Sequence, residues 1–103
     1  MSSLSTVAAV AENGAPSLTV RFSVHALPEP GVMPRVLELF AKRGLVPQRY
    51  VGTASDTVLT IEVQIGGLGR DMVDYIARCM RQIAGVEAVL TAEMPAHRLK
   101  SSG

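Results

Sequence analysis

Between Leu18 and Glu93 the chain runs one grammar twice: an alternating strand, a helix-spaced apolar stripe closed by glycine, and a second strand. Few folds accept that order. In the first half Leu18, Val20, Phe22, Val24 and Ala26 fall on one face of a strand, and Thr19, Arg21, Ser23 and His25 on the other, which predicts a half-buried strand. Pro28 and Pro30 lack N–H groups and end it, while Gly31 lets the backbone reverse and approach another group closely. A helix follows from about Val32, with Pro34 in its first turn and Gly44 as its stop. Its apolar positions are Met33, Val36, Leu37 and Phe40; Arg35, Glu38 and Lys42 share the opposite face, with Glu38 and Lys42 spaced to pair.

The second half opens with an extended stretch, Gln48 to Ala54, a Ser55-Asp56 turn signal and a strand from Thr57 to Ile65, which together read as a hairpin. Leu59, Ile61, Val63 and Ile65 alternate with Thr60, Glu62 and Gln64. Gly66 and Gly67 are expected to break that strand. Met72, Val73, Ile76, Met80 and Ile83 then mark the buried stripe of a helix over Leu68–Ala84, with Asp71, Asp74, Arg78 and Arg81 outside and Gly85 as its stop. A last strand, Val86 to Glu93, is expected to turn Val86, Ala88, Leu90 and Ala92 inward.

Right-handed crossovers in both halves stack the two helices on one face of a four-stranded antiparallel sheet. The expected fold is therefore α+β, a ferredoxin-like βαββαβ sandwich. Gln48–Ala54 and Val86–Glu93 would be its outer strands, and an uncovered edge invites pairing with a second copy, so a homodimer is expected. The polar face with Thr19, Arg21, Ser23 and His25 reads equally as solvated sheet and as an assembly surface. Arg21 and Glu62 are placed to meet across neighbouring strands.

At 103 residues the chain makes one domain, expected over 17–94 between flexible tails at 1–16 and 95–103. With 4% aromatics, no Trp and a formal charge of +1, it offers neither stacking surface nor long-range field for nucleic acid. The first sixteen residues carry no Lys or Arg and no long apolar run, so no signal peptide or membrane helix is indicated and a cytoplasmic location is expected.

Catalytic chemistry finds no constellation. His25 and His97 lie in different segments with no Cys or carboxylate at ligand spacing, so neither metal nor other cofactor is expected. Cys79 is the one cysteine; it reads as core or boundary packing, with no positioned base to make it a nucleophile. Gly66-Gly67-Leu68-Gly69 lacks the Lys-Ser/Thr of a phosphate-binding loop. Residues 27–33 hold neither the Arg of an acylphosphatase nor the paired cysteines of a copper carrier. An enzyme is not expected.

The segment Pro30-Gly31-Val32 through Arg43-Gly44, set between two strands, resembles the ACT domain, a module that senses small molecules and regulates amino-acid metabolism. It looks most like the small regulatory subunit of acetolactate synthase, whose segment runs PG-V-L-x-R-V-x-x-L-F-x-x-R-G. Pro30, Gly31, Val32, Arg35, Val36, Leu39, Phe40, Arg43 and Gly44 match that pattern. The resemblance spans about residues 17–93 and implies a non-catalytic subunit. Its implied partner is the thiamine-diphosphate-dependent catalytic subunit, which keeps the cofactor, and branched-chain amino acids are the implied feedback effectors. Where the family reads E-N-x-P-G, this chain reads Leu27-Pro28-Glu29-Pro30-Gly31, so Pro28 replaces the amide that would orient a ligand.

The corner Pro28–Met33 is the candidate effector site on physical grounds as well. A helix N-terminus with free N–H groups attracts a carboxylate, Glu29, Pro30 and Gly31 carry the exposed backbone, and Val32 and Met33 would wall an apolar side chain. By the resemblance, Gln48, Tyr50 and Gly52 of a second copy's edge strand complete the site. The same residues also read as a tight connection without a ligand.

Overall fold

The computed structural model describes residues 18–94; the tails and His97 lie outside the described residues. Elements follow in the order β1 (Leu18–Ala26), α1 (Val32–Ala41), β2 (Arg49–Ala54), β3 (Leu59–Leu68), α2 (Arg70–Arg81) and β4 (Val86–Met94). The four strands form one sheet in the order β2-β3-β1-β4 with every pairing antiparallel. This is the ferredoxin-like arrangement, with β2 and β4 at the edges.

Strand β1 carries the core because it is hydrogen-bonded on both sides and covered by helices. Val20, Phe22, Val24 and Ala26 are fully buried, and they meet Ile61, Val63 and Ile65 of β3 beneath Val32, Val36 and Phe40 of α1 and Ile76 and Met80 of α2. Phe22 and Phe40 lock sheet to helix in an edge-to-face contact, centroids 5.8 Å apart at 70°, a geometry that adds about 0.5–1.5 kcal/mol beyond area burial. The helices are tied by Arg43, whose guanidinium lies 4.7 Å over the Tyr75 ring while it donates to the Leu39 carbonyl at 2.9 Å. Arg78 approaches the same ring at 5.9 Å.

The β2–β3 turn forms at Ser55, whose hydroxyl accepts from Thr57 N–H (3.3 Å) and Val58 N–H (3.2 Å). Gly44 and Gly85 end the helical segments with φ of +70° and +97°, a region other residues rarely enter. At Gly31 the expectation fails: φ is −80°, so the reversal needs no glycine there.

Other sequence expectations are corrected by geometry. The stripe of α1 is Val32, Val36 and Phe40, leaving Met33 and Leu37 37% and 41% exposed; in α2 Met72 is likewise outside, and Ala77 joins Val73, Ile76 and Met80. Strand β3 does not stop at Gly66 but runs to Leu68, because Gly67, at φ +81°, absorbs a bulge as the register steps from Thr19↔Gly66 to Leu18↔Leu68. Helix α2 is accordingly shorter than Leu68–Ala84.

A second bulge reverses the expected facing of β4. Ala26 pairs with Val86 but His25 with Ala88, so Glu87 is the extra residue. Beyond it Val89 turns to the core, while Ala88, Leu90 and Ala92 join His25, Ser23 and Arg21 on the open face, with Leu90 61% exposed. Glu38 and Lys42 form no ion pair; among the described residues the salt bridge is Arg70–Glu93 at 2.7 Å. Arg21 sits opposite Gln64, and Glu62 opposite Ser23, so Arg21 and Glu62 are diagonal rather than facing.

Two truncations check this register by urea denaturation. Phe40→Ala should cost about 3–5 kcal/mol, whereas Leu90→Ala, measured at a chain concentration low enough to keep the protein monomeric, should fall within about 0.5 kcal/mol of the parent. A multi-kilocalorie loss at Leu90 would contradict the reversed facing of β4.

Candidate functional site

The loop between β1 and α1 is held from both sides. Leu27 N–H donates to the Gly85 carbonyl at 2.8 Å, which continues the β1–β4 ladder one step past the strand. The Glu29 carboxylate and Val32 crowd Gly85, at 3.0 and 3.2 Å from where a Cβ would stand. Together with its φ, this close approach makes glycine the fitting residue at 85.

The first turn of α1 has no side-chain cap. Val32 N–H reaches the Glu29 carbonyl at 3.2 Å and Arg35 N–H the Gly31 carbonyl at 3.3 Å. Pro34 has no N–H, which leaves Met33 as the unpaired donor of that turn among the described residues. The Arg35 guanidinium folds back over Gly31, where a Cβ would collide with it. Among the described residues the corner thus presents two free N–H groups, those of Gly31 and Met33, an unmatched cation and the exposed side chains of Pro28, Glu29 and Pro30.

Strand β2 closes the other side within the same chain. Tyr50, opposite Val63 on the helix-facing side, donates its hydroxyl to the Met33 carbonyl at 2.7 Å. Gly52, two residues on, lies beneath the Met33 thioether, whose Cε would stand 2.7 Å from a Cβ there. Burial raises the Tyr50 phenol above its ordinary value of 10.0, because the anion would lose hydration.

The structure therefore brings Glu29, Pro30, Gly31, Met33, Tyr50 and Gly52 around the first turn of α1. Val32 is fully buried and belongs to the core rather than to a ligand wall. Gln48 turns away: its amide packs over Gly66, 3.1 Å from the Cβ position and beside the Thr19 hydroxyl, at the end of the open face. Two participants, Arg35 and Glu29 as partner of Gly85, were not separable in the sequence from ordinary helix-surface and loop charges. Among the described residues no group of His, Cys, Asp and Glu could hold a metal, and Cys79 is a half-buried free thiol on α2. No helix there is long and apolar enough to cross a membrane.

The described residues form a βαββαβ sandwich with a constrained strand–helix corner, the architecture of a small single-domain module. The profile of the ACT-like domain family matches residues 13–98; the chain belongs to that family, whose members are regulatory. Its fold is similar to the crystal structure of the ACT domain from GTP pyrophosphokinase of Chlorobium tepidum, with TM-score 0.66 and 16% identity over 74% of this chain and 99% of that one. It is similar also to the C-terminal domain of the MgtC protein from Mycobacterium tuberculosis (TM-score 0.63, 15% identity, 75% and 87% covered). An uncharacterised protein from Thermotoga maritima gives TM-score 0.63 at 16% identity, with 76% and 98% covered. No curated protein matches the chain.

The Tyr50–Met33 bond predicts a pH effect. A phenol with a raised folded-state pKa holds its proton more tightly when folded, so its contribution is complete below pH 10 and declines as pH rises through the folded value. Tyr50→Phe should cost about 0.5–1.5 kcal/mol at pH 7, and thermal melts should show this gap between parent and variant closing above pH 10. A gap that stays constant through pH 11 would contradict the assignment.

Proposed function

We propose that this chain is a regulatory subunit of acetolactate synthase, stimulating the separate catalytic subunit and conveying feedback from a branched-chain amino acid held at the β1–α1 corner. The observation that carries the effector reading is the surrounding of Met33. Its N–H, like that of Gly31, is a free donor at the helix start and suits a carboxylate. Its thioether, over Gly52, is an apolar surface for an aliphatic side chain. The Arg35 guanidinium over Gly31 adds a cation beside that donor, a role Pro28 cannot supply. The Pro30–Gly44 segment supports acetolactate synthase as the partner.

The free outer edge of β2 supports a homodimer. The β1–β4 ladder carries the Glu87 bulge, which twists β4 locally and makes its free edge a poorer template for strand addition. Strand β2 pairs only with β3, without a register shift, and all of it but Tyr50 is exposed. Feedback then requires the amino acid to favour one assembly state, since equal affinity for both shifts nothing.

A second reading, an ACT-domain dimer sensing an amino acid for a different enzyme, is supported by the likeness to the ACT domain of GTP pyrophosphokinase. A ligand-free interaction module keeps the same fold. Acetolactate formation by the catalytic subunit, assayed with and without this chain and then with valine, leucine or isoleucine, separates these readings. Stimulation is expected; absence of both binding and activation would overturn the acetolactate synthase assignment. Calorimetry on the chain alone tests the corner. Gly31→Val should abolish amino-acid binding while the melting temperature holds, because the Cβ displaces only the flexible end of Arg35. Normal binding by that variant would move the site elsewhere.

A further inference from the structure

The bulge at Glu87 builds an open sheet face that the sequence alternation conceals. Pairing registers divide it into rows running across the sheet from β2 through β3 and β1 to β4. The central row reads Val51, Glu62, Ser23, Leu90. On one side lies Arg49, Gln64, Arg21, Ala92, and on the other Thr53, Thr60, His25, Ala88. Val51 and Leu90, 36% and 61% exposed, are the large apolar side chains of this face and stand at its two opposite edges. Neither Arg21, Arg49 nor Glu62 has an ion-pair partner among the described residues.

We propose that this face binds a second copy of the chain, packed face to face about a two-fold axis that runs along the strands between β3 and β1. The observation behind it is that the rows are self-complementary under that operation. The central row meets itself reversed, so Val51 of each copy lies opposite Leu90 of the other, and Glu62 lies opposite Ser23. In the neighbouring row Arg21 faces Gln64 and Arg49 faces Ala92. No like charges are directly opposed, and each Glu62 comes one row from the Arg21 of the second copy. An axis across the strands through the central row would instead set Glu62 against Glu62, which is unfavourable.

The size is adequate. With strands ~4.8 Å apart and about 3.3 Å per residue the face covers roughly 530 Å² per copy, roughly 1,050 Å² in all, against the ~1,000 Å² of a specific interface. Aligned sheets pack about 10 Å apart and offset by about 30°, which keeps the central row in register. The surface uses neither the β1–α1 corner nor the free edge of β2, so the contact is independent of any effector.

The test is site-specific cross-linking of the full chain in a Cys79→Ser background with a short bismaleimide. Mixing a Val51→Cys chain with a Leu90→Cys chain should yield a heterologous 51–90 product, at least fivefold above the yield from Leu90→Cys alone. Pairing only through the β2 edge would give 51–51 products from Val51→Cys alone and no 51–90 product. In sedimentation, Leu90→Glu should halve the mass of the largest species. Glu62→Arg should do the same, and adding Arg21→Glu to it should restore the parent mass. The exposure of Leu90 makes its variant compatible with folding, which circular dichroism checks. Absence of the 51–90 product, or a mass unaffected by Leu90→Glu in folded protein, overturns the proposal.

Discussion

Strand β1 is the constraint on which the rest depends. Like β3 it is hydrogen-bonded on both sides, and its four inward residues are all fully buried. Once Val20, Phe22, Val24 and Ala26 face the helices, Phe40 must meet Phe22, α1 must begin just beyond Ala26, and Thr19, Arg21, Ser23 and His25 must face the other way. The corner and the open face are both consequences of that strand. The corner lies where its C-terminal end meets α1, and the open face is its reverse side.

The corner is stiffened by contacts distant in sequence. Gly85 holds Leu27 from the α2–β4 loop, and Tyr50 holds Met33 from β2. In the proposed reading, a ligand on Met33 would touch a residue already coupled to an outer strand, and its occupancy would alter the edge that a second subunit reads. Stabilising one of two assembly states is sufficient for regulation, and no chemistry is needed.

Much of the fold was legible in the amino-acid order. Strict alternation in β1 and β3, helix-spaced apolar stripes and the stops at Gly44 and Gly85 specify the βαββαβ order. The misread strand positions share a physical cause. A bulge inserts one residue and flips everything beyond it, so Ala88-Val89-Leu90 keeps its apolar look while its facing reverses. Gly66-Gly67 resembles a strand break for the same reason, although Gly67 is a bulge inside a longer strand. On the helices, Met33, Leu37 and Met72 flank the stripe, and two small helices cannot cover every apolar residue they carry.

At the site, sequence located the corner but not its wiring. Arg35 looked like a helix-surface cation and proves to lie over Gly31, and Tyr50 and Gly52, which the family resemblance brings to the corner from a second copy together with Gln48, also reach it within the same chain, where Gln48 packs over Gly66. The most direct measurement is a backbone amide NMR titration of the chain with valine, leucine and isoleucine. The account predicts saturable shifts centred on Gly31, Met33, Tyr50 and Gly52, with the Met33 amide moving most. Shifts confined to the open face around Ser23 and Leu90, or no saturable shift with any of these amino acids, would contradict it.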